Sequence, residues 1–270
     1  MSGNLRRESS AVNLWEAIGV LAMRIRQMSQ MHWVAFFTLI LLGWAVLFLM
    51  AVPADLRALE YIYGADLIAA LCGGLVGTNS FAAALLMWTL MSAAMMAPTA
   101  LPALATYDDL TSVDTKARIA PLVAGYLAIW VGFSAVAAAL QVALFQAGLI
   151  GALGQSLSVP LTSALLIGAG LYQFSALKEA CLSRCRQPLT FFMQHWPEGP
   201  FRNGLRLGAD CLGCCWALML LAFVGGTMNL TFMGLAMVLM TLEKLRDIGR
   251  TLTKPVGGML IAAGLLLPFI

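Results

Sequence analysis

The sequence predicts an all-α, polytopic transmembrane helix bundle of about seven spans. Three observations lead there. Hydrophobic residues make up 61% of the 270-residue chain and charged residues only 11%, about half the charged share of an ordinary soluble domain. The apolar residues gather into successive runs of about 20, the length that crosses a bilayer core. The lysines and arginines gather in the amino-terminal segment and in segments 103–119, 178–206 and 243–254. Loops nearly free of basic residues alternate with these, the pattern that places basic loops in the cytoplasm. Seven spans threaded through them put the amino terminus in the cytoplasm and the carboxyl terminus in the periplasm.

Residues 1–32 read as an amphipathic, interfacial lead-in, with Leu14, Ile18, Leu21, Ile25 and Met28 on one face. Residues 33–270 read as a single transmembrane domain. Its first span is expected from Trp33 to Val52, ending at Pro53. Residues 54–78 hold an apolar piece too short to cross, expected to be re-entrant or interfacial. A second span is expected over 80–101, closed by Pro98 and Pro102, with Asp108 and Asp109 in the loop beyond. A third is expected over 120–143 and a fourth over 159–176. A long polar loop is expected over 178–206, then a fifth span over 207–224 and a tight turn at Gly225 and Gly226. The sixth span is expected over 228–242 and the last beyond Pro255.

Composition narrows function. A net charge of +3, with the basic residues dispersed and no aromatic interleaving, leaves nucleic-acid binding without an electrostatic footprint. Two histidines, His32 and His195, are too few for a multi-imidazole metal site. Any metal must be held by sulfur or carboxylate. Five of the six cysteines lie between 181 and 215, on the predicted cytoplasmic side, where free thiols and metal binding are favoured over disulfides.

The fifth span carries the densest sulfur. Cys211, Cys215 and Met219 follow one another at four-residue spacing and Cys214 sits three on from Cys211, so a helix brings all four to one broad face. Asp210 is expected to cap that helix or pair with Arg206. Cys181 and Cys185 repeat the spacing, on an expected cytoplasmic extension of the fourth span, beside Lys178, Arg184 and Arg186. In the second span Met87, Met91 and Met95 form a row with Met96 beside it. Met228, Met233, Met237 and Met240 continue the theme on the sixth, which ends in Glu243, expected to pair with Lys244 or Arg246. Thioethers and thiolates are soft donors that suit copper(I), and thioethers hold it without burying an anion. Methionine is also a common filler of apolar gaps. The expected metal ligands are Cys211, Cys214, Cys215, Met219, Met91, Met95, Met96, Met228, Cys181 and Cys185.

The segments 87–98 (MWTLMSAAMMAP), 178–188 (KEACLSRCRQP) and 208–219 (GADCLGCCWALM), followed by GTMN at 226–229 and Glu243-Lys244, carry a resemblance. In that order they resemble the signatures of a bacterial family of predicted metal-binding integral membrane proteins, over residues 35–250. The resemblance implies a multi-pass protein of the bacterial inner membrane that chelates copper and supplies it to copper enzymes such as polyphenol oxidases.

Two further function classes stand beside copper(I) handling. One is a membrane thiol-disulfide oxidoreductase with Cys211 and Cys214 as its redox pair, a chemistry in which thioethers have no part. The other is a solute transporter or scaffold whose sulfurs only pack. The copper reading expects no catalysis, with the lipid bilayer and an acceptor copper enzyme or soluble metallochaperone as partners.

Overall fold

The computed structural model describes residues 31–51, 80–111, 119–151, 154–227 and 229–269. The expected amino-terminal lead-in helix and the 54–78 segment lie outside them. Among the described residues the chain is helical throughout, with no strand and a single isolated β-bridge between Ile150 and Ser156. In chain order the helices are α1 (Met31–Ala51), α2 (Phe81–Thr111), α3 (Ile119–Gln146), α4 (Val159–Tyr172), α5 (Ala176–Cys185), α6 (Pro188–His195), α7 (Pro200–Leu220), α8 (Ala222–Gly225), α9 (Leu230–Lys244) and α10 (Arg246–Leu266).

Four helical stretches are long and apolar enough to cross a membrane: Phe81–Thr111, Ile119–Gln146, Pro200–Gly225 and Ile248–Phe269. Counting α4 and α5 as one span broken by a 63° bend makes five. The seven expected spans are therefore reduced within the described residues. The expected sixth, α9, has 15 residues, about 22 Å of helix against a hydrocarbon core of about 30 Å. The apolar run of the expected first, Trp33–Phe48, is likewise short.

Two boundaries differ from the sequence reading for a physical reason. Helix α2 runs through Pro98 and Pro102 to Thr111, so Asp108 and Asp109 sit on its last turn. Pro98 has no N–H to give the Ala94 carbonyl, and Trp44 Nε1 donates to that oxygen instead, at 3.2 Å. Thr99 and Thr106 donate to the Met96 and Pro102 carbonyls at 2.9 and 2.8 Å. The expected polar loop 178–206 is likewise mostly helix. Ser175 caps α5 by accepting from Lys178 N, and Pro188 and Pro200 open α6 and α7, where a missing N–H costs nothing. Gly226, at φ +89°, makes the expected tight turn after α8.

By compactness the chain divides into Met1–Leu42 and Gly43–Ile270. In the first unit, Trp33 is buried and packs edge-on to Phe36 and tilted to Phe37. In the second, α7 packs most extensively on α3, α10 on α4, and α2 on α3. The α3–α7 crossing is a backbone contact. A Cβ at Gly204 would lie 2.1 Å from the Leu122 carbonyl oxygen, and one at Gly125 2.2 Å from that of Phe201. Gly208, four residues on, rests against Ile129 and the Tyr126 carbonyl. Small residues at this spacing let two membrane helices approach closely.

The crossing yields a prediction. G204A forces backbone against backbone and is expected to cost at least the ~1–3 kcal/mol typical of overpacking. G132A, on the same pair of helices with nothing within 4 Å of its Cβ, is expected to be neutral. Thermal unfolding of the two variants in detergent compares them directly.

Candidate metal centre

Helix α7 carries Cys211, Cys214, Cys215 and Met219, all 1–2% exposed. Gly204 and Gly208 precede Cys211 and Cys215 on the same face at spacings of four, three and four residues. The face that meets α3 at the start of α7 therefore becomes the sulfur face a turn later. The sequence reading of a common face holds.

Cys211 is the most connected of the thiols. Its Sγ lies 3.1 Å from the Tyr126 hydroxyl of α3 and 3.0 Å from Lys244 Nζ at the end of α9. Lys244 also donates to Thr99 Oγ1 of α2 at 2.7 Å, and Tyr126 donates to the Met96 carbonyl at 3.1 Å. Thr99 in turn donates to that same carbonyl at 2.9 Å. The sulfur thus joins three helices directly, and Lys244 and Tyr126 extend the network to α2. The thiolate is the form that binds metal, and an ammonium 3.0 Å from this sulfur would offset the charge of a thiolate in a low-dielectric interior.

The other two thiols face each other, Cys214 Sγ and Cys215 Sγ being 3.2 Å apart. Cys214 Sγ also donates to the Cys211 carbonyl one turn back, at 3.1 Å. The second cysteine pair joins them. α5 packs along α7, Cys181 Sγ fills the space over Gly213, only 2.5 Å from where a Cβ would stand, and Cys185 comes within interacting distance of Cys214. All five described cysteines are free, and they are carried by two helices that pack together. Tyr172 stands beside them, meeting Trp216 edge to face and donating to the Gly213 carbonyl.

The methionines divide. Met91 and Met95 of α2, Met219 of α7 and Met233 of α9 line one small gap. Met96 points elsewhere, its sulfur 3.8 Å from Thr99 Oγ1. Met228 lies outside the described residues. Among the described residues, no set of three or more His, Cys, Asp and Glu side chains is arranged to hold a metal ion.

Three charged partners differ from expectation. Asp210 lies within α7, not at its cap, and pairs with Arg184 at 2.8 Å. Arg206 pairs with Glu198 at 2.7 Å. Glu243 pairs with Lys178 at 2.7 Å, both 1% exposed, and its main-chain carbonyl accepts from Arg186 Nε at 3.0 Å. The first and the third share a reason: α5, which carries Arg184 and Lys178, is a helix that lies against α7 and α9, whereas Arg206 meets Glu198 in the turn just before α7. Sequence reasoning also missed Tyr126, Thr99 and the role of Lys244, since nothing in their spacing marks a contact across helices.

With this geometry in place, one comparison identifies the chain. A family model for PpoB2, described as a copper chaperone, matches residues 85–267. The chain belongs to the PpoB2 copper chaperone family. The match runs from α2 into the carboxyl-terminal 3₁₀ turn and takes in every cysteine and methionine placed above. No curated protein and no solved structure matches. The PpoB2 membership agrees with the resemblance drawn from the three sequence signatures and gives the chain a copper-related role.

Two predictions follow from the site. Breaking the Lys178–Glu243 pair on one side, with K178A or E243A, strands a buried charge and is expected to cost about 3–5 kcal/mol. The paired replacement K178M/E243L is expected to regain most of that loss in thermal unfolding. Second, brief alkylation of the folded protein in detergent is expected to label Cys185, which is part exposed, ahead of the buried Cys181, Cys211, Cys214 and Cys215. Peptide mass mapping reads the order.

Proposed function

We propose that this protein holds copper(I) through the thiols of α7 and passes it to an acceptor copper protein. The observation that carries the reading is the burial of Cys211, Cys214 and Cys215 on one helix face, with two sulfurs 3.2 Å apart and the third beside an ammonium. Buried thiols used only for packing need no lysine. Membership of a copper chaperone family supports copper as the cargo, and thioethers beside the thiols suit copper(I) better than zinc. In this reading Cys211, Cys214 and Cys215 are the principal ligands, Cys181 and Cys185 the entry side, and Met219, Met91 and Met95 the thioether side. Met96 and Met228 are lesser contributors. The protein is non-enzymatic, and the acceptor is a copper enzyme or a soluble metallochaperone.

The finer topology belongs to the same proposal. The protein is a multi-pass resident of the bacterial inner membrane with about seven spans, α1 and the short α9 counted beside the five. The amino terminus is cytoplasmic and the carboxyl terminus periplasmic, as the basic segments require. Cys181 and Cys185 then face the cytoplasmic side, where a reducing environment keeps them free.

Metal analysis of the purified full chain, kept under reductant, tests the reading. Stoichiometric copper is expected in the native protein, falling by at least half in C211S/C214S/C215S. Native protein without copper at stoichiometric level overturns it.

A further inference from the structure

Met91, Met95, Met219 and Met233 come from three different helices, and each is 1–3% exposed. They surround a gap of about 10 Å³, whose remaining walls are Leu218, Ala222, Phe232 and Ala236. The gap is about the size of a single water. Its walls offer carbon and sulfur and no hydrogen-bonding side chain, so water, which needs two to four polar partners when buried, has no reason to enter. Methionine is the side chain best able to close an irregular space. Four of them standing around an open one is not what gap filling produces.

We propose that Met91, Met95, Met219 and Met233 form a second, uncharged site for a soft monovalent cation, distinct from the thiol site. The proposal rests on the copper reading above and deepens it. Thioethers select such cations, and four of them bring no charge into the bilayer core. Met219 is four residues beyond Cys215 on α7, about 6 Å along the helix. The two sites are therefore neighbours joined by one helix. Met233 is the member that no reading of α2 or α7 alone supplies: it reaches the gap from α9, the helix whose end brings Lys244 to Cys211. The two sites also differ in their protons. A thiol gives up a proton when it takes metal, whereas a thioether has none to give.

Silver(I), which matches copper(I) in charge and softness, tests the proposal on the purified full chain in detergent. The variant C211S/C214S/C215S is expected to retain one bound silver ion per chain, with an affinity that stays flat across the neutral pH range. The variant M91L/M95L/M219L/M233L, close to volume-conserving, is expected to bind one silver ion fewer than the native protein. M87L, on the same row of α2 but away from the gap, is expected to bind as the native chain does. Selenomethionine-labelled native protein supplies a readout independent of the variants' folding, with silver expected in the selenium absorption fine structure. The site is ruled out if the four-leucine variant binds as much silver as the native chain, if the serine variant binds none, or if selenium sees no silver. Native protein that takes up no soft metal at all would instead overturn the copper reading itself.

Discussion

The close crossing of α3 and α7 is the constraint on which the rest of this structure depends. In a bilayer, apolar side chains gain little by leaving lipid for another helix, so helices are held by tight packing and by polar contacts. Gly204 and Gly208 bring the backbone of α7 onto that of Leu122 and Tyr126. That approach sets the depth of Tyr126 against α7, and its hydroxyl arrives at Cys211. Were the helices a side chain further apart, Tyr126 would not span from the Met96 carbonyl to the sulfur, as it does at 3.1 Å to each.

Polar pairing then fixes the remaining helices around α7. Helix α9 is short, and its end is held twice. Glu243 is tied to α5 through Lys178, and Lys244 is tied to α2 and α7 through Thr99 and Cys211. Adjacent residues on one helix point about 100° apart, so one turn of α9 binds neighbours on two sides. Each of these charges would be costly alone in a low-dielectric interior. The pairing therefore specifies which helices meet as much as it stabilises their meeting.

Much of the sulfur arrangement was legible in the sequence, and its limits have physical causes. Four-residue spacing determines which residues share a helix face, so the common face of Cys211, Cys215 and Met219 and the row of Met91 and Met95 followed from periodicity alone. Helix ends were less legible. Pro98 and Pro102 read as stops, but the carbonyl that Pro98 leaves free is taken by the indole of Trp44, more than 40 residues away, and the helix continues. The 178–206 region read as a loop because its polarity argues against a span, yet polarity does not argue against a helix. Reading 178–206 as a polar loop, with Cys181 and Cys185 on a cytoplasmic extension of the fourth span, left three contacts hidden: the Lys178–Glu243 pair, the Arg184–Asp210 pair and the packing of α5 on α7. Contacts across helices, such as Lys244 to Cys211, leave no periodic trace in either partner.

Charge accounts for why thiols and thioethers occupy different parts of α7. A thiolate site needs a counter-charge when empty, and the only lysine that reaches a cysteine sulfur among the described residues does so at the end of α9, beside Cys211. One turn beyond Cys215 no such cation lines the gap among the described residues, and the sulfur there is the neutral Met219. On the proposed reading, a soft cation at thiolates would be offset by their charge, whereas among the methionines it would keep its own. A cation bound only by neutral donors in an apolar interior would then pass readily to an acceptor that offers an anion.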